Sequence, residues 1–108
     1  MASKYWLANH PSGRLIGGTG SHNLSEIADG DEEAFTITVT GAALGDMILG
    51  CSCSIDIIDL GVTAQVTAAD TVTVTVLNNS GGALNLNAAK FRVLVLPLAA
   101  VDDIIAEM

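Results

Sequence analysis

The residues of this chain that could do chemistry are two histidines, two cysteines and a short acidic run. His10, His22, Cys51 and Cys53 together have the side chains that bind zinc. Zinc sites more often have two to four residues between their paired cysteines, whereas Cys51 and Cys53 have only one residue between them. Two cysteines on one strand are also poorly placed to share the tetrahedral coordination of one zinc ion. We therefore predict no metal site.

The acidic run Asp29-Gly-Asp-Glu-Glu33 is a second candidate, because clustered carboxylates suit a hard cation such as calcium. It lacks the alternating oxygen ligands and the final bidentate glutamate of a calcium-binding loop. The sequence favours a solvent-exposed turn at this place.

The glycine cluster at residues 17–20 lacks the lysine and the following hydroxyl residue of a phosphate-binding loop. Ser21 and His22 are adjacent, and adjacency in sequence does not provide the geometry of a hydrolytic triad. We interpret the glycines as a hinge. We predict no catalytic residue, no cofactor and no enzymatic activity.

Tyr5 and Trp6 form an aromatic pair near the N-terminus. Exposed aromatic side chains favour burial in a partner. We predict that they anchor the chain to a partner, with packing on their own domain or sugar binding as alternatives. The predicted partner-binding residues are Tyr5, Trp6, Leu7 and Arg14.

Composition limits the partners. The 108 residues have a net charge of −8 and are 50% hydrophobic, and a chain this apolar favours an oligomer. The few cations cannot neutralise a run of phosphates, which argues against nucleic acid and against anionic membranes as partners.

No apolar run reaches the roughly 18 residues of a membrane span. The N-terminus has no secretory h-region, so synthesis in the cytoplasm with reduced cysteines is expected. The cations are Lys4, Arg14, Lys90 and Arg92.

Alternation of apolar residues with threonines predicts β-strands. Residues 71–76 alternate threonine and valine, and residues 35–40 alternate apolar residues with threonine. Residues 47–58 predict a central strand covered on both faces, with a bulge at Gly50. Further strands are expected at 24–28, 60–67 and 90–96. The predicted inward positions are Phe35, Ile37, Val39, Val72, Val74, Val76, Val93 and Val95.

These strands predict an all-β fold, an antiparallel, jelly-roll-like β-sandwich at residues 24–97. Residues 1–23 are interpreted as an extended N-terminal arm, in which residues 14–17 could add a short strand. Residues 98–108 form a C-terminal tail, with apolar residues at the spacing of one short helix. We place Asp102 and Asp103 near the start of that helix.

The pattern as a whole resembles a small β-sandwich domain of tailed-phage structural proteins, closest to capsid decoration (cement) proteins. The resemblance covers about residues 24–97. It rests on Leu24 and Ile27, on Gly41-Ala-Ala-Leu-Gly-Asp46, and on the segments 66–74, 78–83 and 91–95. The chain departs from the family at residues 51–53, where small residues or proline are usual.

The resemblance implies a non-enzymatic homotrimer that binds the major capsid protein on the capsid exterior and stabilises the shell of the virion. The domain occupies nearly all of the chain, which favours a decoration protein over a terminal fibre module. The alternative is a fibre or adhesin module that binds a receptor on the host surface. The arm and the tail have no counterpart in the family, so the resemblance implies nothing about their contacts.

Overall fold

A computed structural model describes residues 14–57 and 60–108. In these residues the chain forms six strands and one helix. The elements are β1 (Ile16–Leu24), β2 (Glu32–Thr38), β3 (Met47–Cys53), β4 (Leu60–Ala68), β5 (Thr71–Asn78), β6 (Asn87–Leu96) and α1 (Leu98–Ala106).

The strands form two three-stranded antiparallel sheets. One has the order β1-β6-β3 and the other the order β2-β5-β4. The sheets contact each other along both sides, where β1 meets β2 and β3 meets β4. Each sheet has one apolar face, and packing these faces together removes both from water. The predicted antiparallel β-sandwich is therefore confirmed.

The core is built from the alternating residues of the two central strands, β5 and β6. Because successive side chains point to opposite faces, every second residue of each strand faces the other sheet. The predicted inward positions are confirmed, with Phe35 only partly buried against the core. Fully buried residues on the central strands include Val72, Val74, Val76, Phe91 and Val95.

Strand β3 corrects the prediction of a central strand at residues 47–58. It ends at Cys53 and lies at the edge of its sheet, where its one strand partner among the described residues is β6. The apolar run looked doubly buried because Met47 and Leu49 are apolar although they are exposed. The predicted bulge is confirmed, because the register with β6 shifts between Ile48 and Gly50.

Strand β1 corrects the boundary of the N-terminal arm. Residues 16–24 pair with β6 along their whole length, so residues 16–23 belong to the sandwich. The glycines are not a hinge. A Cβ on Gly18 would lie 2.5 Å from the carbonyl oxygen of Thr38, so glycine allows β1 to pack closely against the other sheet. Residues 1–13 of the predicted arm lie outside the described residues.

The segment after β1 also differs from its prediction. The expected strand at residues 24–28 is wrong, because Leu24 ends β1. Ile27 instead forms a single β-bridge with Leu84, through two backbone hydrogen bonds of 2.8 and 3.0 Å.

The predicted C-terminal helix is confirmed as α1. It begins at Leu98, directly after Pro97, so Asp102 and Asp103 lie in its middle and not near its start as predicted. A carboxylate from another part of the chain satisfies its first amide. Asp46 accepts hydrogen bonds from the backbone N–H of Leu98 and of Ala43, both at 2.9 Å. Asp46 therefore joins the turn before β3 to the start of α1.

We predict that Asp46→Ala lowers the free energy of unfolding by about 0.5–2 kcal/mol, because an unsatisfied N–H at a helix start has this cost. Asp46→Asn keeps one oxygen acceptor and should lose less. Urea denaturation followed by circular dichroism measures both. An unchanged midpoint for Asp46→Ala would contradict the capping role.

Candidate functional site

His22 lies on β1, with its half-buried side chain turned toward β2. Its Nε2 is 2.9 Å from Glu33 Oε2, and its ring stacks on Phe35 with centroids 4.1 Å apart and planes 8° from parallel. Ser25 Oγ donates a hydrogen bond of 2.9 Å to the other oxygen of Glu33. The cluster joins the edge strands of the two sheets.

The order of these hydrogen bonds does not suit hydrolysis. In a hydrolytic triad the histidine lies between the acid and the nucleophile, so that it can take the hydroxyl proton. Here Glu33 lies between Ser25 and His22. Ser21 is the other candidate nucleophile, and it faces the opposite side of β1 from His22 because neighbouring strand residues alternate. The arrangement therefore connects the sheets and activates no hydroxyl.

Cys51 and Cys53 lie on the inner face of β3, partly buried against the core, and they form no disulfide. Burial raises the pKa of the Cys51 thiol above its ordinary value, and the neighbouring Cys53 raises it further. Cys51 therefore stays in the thiol form at neutral pH, which makes it a poor nucleophile.

The four side chains considered as zinc ligands are not brought together in the described part of the chain. His22 and the cysteines lie on opposite edge strands of one sheet, with β6 between them. His10 lies outside the described residues. Within residues 14–57 and 60–108, no three histidine, cysteine, aspartate or glutamate side chains are grouped so that they could hold a metal ion.

Residues 29–31 of the acidic run form the predicted exposed turn, whereas Glu32 and Glu33 begin β2 and Glu33 is half-buried beside His22. Asp29 Oδ1 accepts a hydrogen bond from the N–H of Gly81, and Asp31 Oδ1 accepts one from the N–H of Glu32. Gly30 between them has a φ of +81°, which favours glycine. These carboxylates stabilise the backbone of the turn.

Asn78 is a buried polar residue that the sequence analysis did not single out. Its amide nitrogen donates to the carbonyl oxygens of Ile27 and Gly82, at 2.7 and 2.8 Å. Its amide oxygen accepts from the backbone N–H and the hydroxyl of Ser80. The side chain is fully buried and all of its polar atoms have partners. The Asn-Asn-Ser-Gly-Gly composition of residues 78–82 is typical of a loop and does not indicate this network.

An open apolar trough lies on the outer face of the β1-β6-β3 sheet. Leu94 on β6 pairs with Gly17 on one side and with Gly50 on the other, so its side chain lies between two residues that have no side chain. We call the resulting concavity, with Leu49 and Arg92 on its lining, the leucine trough. Its volume is about 730 Å³. Leu94 is 50% exposed, so it presents an apolar side chain to solvent in the trough.

Helix α1 carries a second group of exposed apolar residues close to the trough. Leu98 is 44% exposed and Ile105 is 60% exposed. The start of α1 is held by Asp46, and the next residue, Met47, pairs with Leu96 at the end of β6. The trough and α1 therefore form one end of the sandwich. Most of the large exposed apolar side chains among the described residues lie there: Leu44, Met47, Leu49, Leu94, Leu98, Ile105 and Met108.

No family model, curated protein or solved structure matches this chain. Its surfaces must therefore be interpreted from their own chemistry. Within the described residues, no helix has both the length and the apolar character that a membrane crossing requires.

The predicted partner-binding residues are only partly placed by the structure. Tyr5, Trp6 and Leu7 lie outside the described residues. Arg14 is exposed just before the start of β1. The sequence did not predict the leucine trough. The signal for it was the glycines at positions 17 and 50, but their pairing with Leu94 depends on a strand register that a single sequence does not reveal.

Proposed function

We propose that this protein is a capsid decoration protein of a tailed phage. In this proposal it is a homotrimer with a jelly-roll-like topology, which binds the major capsid protein on the outside of the virion head and stabilises the shell. The observation that carries the proposal is the exposed apolar end of the sandwich, formed by the leucine trough and α1. A surface of this kind suits a protein whose task is to bind other proteins.

The contacts of the reactive side chains also support a binding role. His22, Ser25 and Glu33 bond to one another between the two sheets, and the Cys51 thiol is held protonated. These side chains contribute to the sandwich and not to an open reaction site. The resemblance at residues 24–97 then favours a decoration protein among the binding roles.

Trimeric assembly makes the proposed binding effective. Each copy of a small domain can bury only a modest area on a shell. Three linked copies bind together with a much lower dissociation constant than one, because the second and third contacts are intramolecular. The net charge of −8 keeps neighbouring trimers apart on the capsid surface.

The test is co-sedimentation of the untagged protein with purified phage heads made without it, from the phage whose genome encodes this chain. We expect saturable binding and heads that resist heating better. A variant lacking residues 1–13 removes Tyr5, Trp6 and Leu7 and leaves β1 complete. It should remain folded by circular dichroism and lose binding.

Two results would contradict the proposal. Full-length protein that remains in the supernatant with the heads pelleted contradicts decoration. Saturable binding to host cells, without binding to heads, would support the alternative of a fibre or adhesin module. Binding retained by the truncated variant would contradict only the predicted role of Tyr5, Trp6 and Leu7.

A further inference from the structure

We infer that the leucine trough of one copy is filled by helix α1 of a neighbouring copy. The inference rests on the proposed homotrimer and identifies the surfaces that form it. The occupant of the trough is thus a second copy of this chain, which contributes an apolar and acidic helix to an apolar and basic sheet face.

The trough has the shape to receive a helix. Gly50 leaves open space beside Leu94, since a Cβ on Gly50 would meet no atom within 4 Å, whereas Leu94 leans over Gly17, where a Cβ would lie 3.2 Å from Leu94 Cδ2. A ridge of side chains can therefore lie along the Gly50 side of Leu94. Filling the trough would remove Leu49 and Leu94 from water, which favours association.

Helix α1 carries a row of exposed side chains that could lie in the trough. Leu98, Asp102 and Ile105 are spaced at i, i+4 and i+7, so they share one face of the helix. A different face, with Ala100 and Val101, is buried against Leu96 of the same chain. The exposed ridge is therefore available to a neighbouring copy while the helix stays packed on its own sandwich.

The exposed charges favour a contact between the trough and α1 over a contact between two troughs. Lys90 and Arg92 are two of the four cations of the chain, and both are exposed on the outer face of the β1-β6-β3 sheet. Asp102 and Glu107 are exposed on α1. Two troughs facing each other would bring like charges together. A trough facing α1 brings Arg92 toward Asp102 and offsets part of the repulsion between chains of net charge −8.

A contact between two different surfaces fits the proposed threefold symmetry. Such head-to-tail contacts form a closed ring when the rotation between copies closes. In a ring of three, each copy gives one helix and receives another, so every trough is filled.

The first test reverses the charges. We expect the wild-type protein at micromolar concentration to have the mass of three chains by light scattering coupled to size exclusion. Arg92→Glu and Asp102→Arg should each weaken assembly by about tenfold or more, since each creates a like-charge contact. The double variant restores an opposite-charge pair and should recover the trimer. Glu26→Arg, an exposed charge reversal in the segment after β1 and outside both the trough and α1, is the matched control.

The second test uses cross-linking in a background with Cys51→Ala and Cys53→Ala. Chains carrying Leu94→Cys are mixed with chains carrying Ile105→Cys and then oxidised. A covalent pair should form in the mixture and not in either variant alone.

The outcomes separate this inference from the proposed function. A trimer that survives both single charge reversals overturns the α1-in-trough contact and leaves the homotrimer standing. Wild-type protein with the mass of one or two chains overturns the threefold arrangement. The binding of heads, measured separately by co-sedimentation, tests decoration whichever of these masses is found.

Discussion

Asn78→Asp is expected to lower the free energy of unfolding by about 3–5 kcal/mol at neutral pH, as other uncompensated buried charges do. The substitution changes the shape of the side chain very little. It replaces an amide that donates to the carbonyl oxygens of Ile27 and Gly82 by a carboxylate facing the same oxygens. The site is fully buried, so water cannot solvate the new charge.

The pH dependence of this variant gives a second measurement. The buried site favours the neutral acid, so the pKa of the new aspartate is raised in the folded state. A raised folded-state pKa means that stability is greatest below the unfolded pKa of about 4 and is lost as the pH rises through the folded value. Urea midpoints should therefore approach those of the wild type on acidification. Asn79→Asp, the exposed neighbour, is the matched control and should change little.

Phe91→Ala is the second change with a large expected effect, a loss of about 3–5 kcal/mol. Phe91 is fully buried on the central strand β6, and its ring lies 4.8 Å from that of Phe35. Its removal leaves a cavity between the sheets and takes away the tilted ring contact with Phe35. Domains of this size have a free energy of unfolding of only about 5–15 kcal/mol, so the variant should lose a large share of the wild-type stability.

Two companion variants make the Phe91 prediction specific. Phe91→Leu keeps most of the volume and should lose much less stability. Leu77→Ala removes an apolar side chain that is exposed on the other central strand, and should change the midpoint only slightly. Thermal unfolding of all three, followed by circular dichroism, gives the comparison. Equal losses for Phe91→Ala and Leu77→Ala would contradict the assigned core.

The sequence was sufficient to predict those strands along which a single periodicity runs from end to end. Val72, Val74 and Val76 alternate with threonine, and period two has one structural meaning on a half-buried strand. The helix was found from its apolar spacing. Its start was misplaced because the cap comes from Asp46, which is distant in sequence.

The errors come from contacts between distant segments. Glycines at 17, 18 and 20 are typical of flexible segments, and only the closeness of Thr38 and Ile37 explains why β1 needs them. An apolar run such as 47–53 does not distinguish an edge strand from a central one. For the same reason the sequence predicted neither the leucine trough nor the network of Asn78.

The central position of β6 has a consequence for biosynthesis. It is the last strand of the chain, yet both β1 and β3 pair with it. While the ribosome is still making residues 87–96, those two strands lack the neighbour to which they hydrogen-bond in the finished sheet. Of the strand pairs, β4 and β5 are joined by the shortest connection, so this hairpin can form first. The sandwich is therefore completed only after β6 has been synthesised.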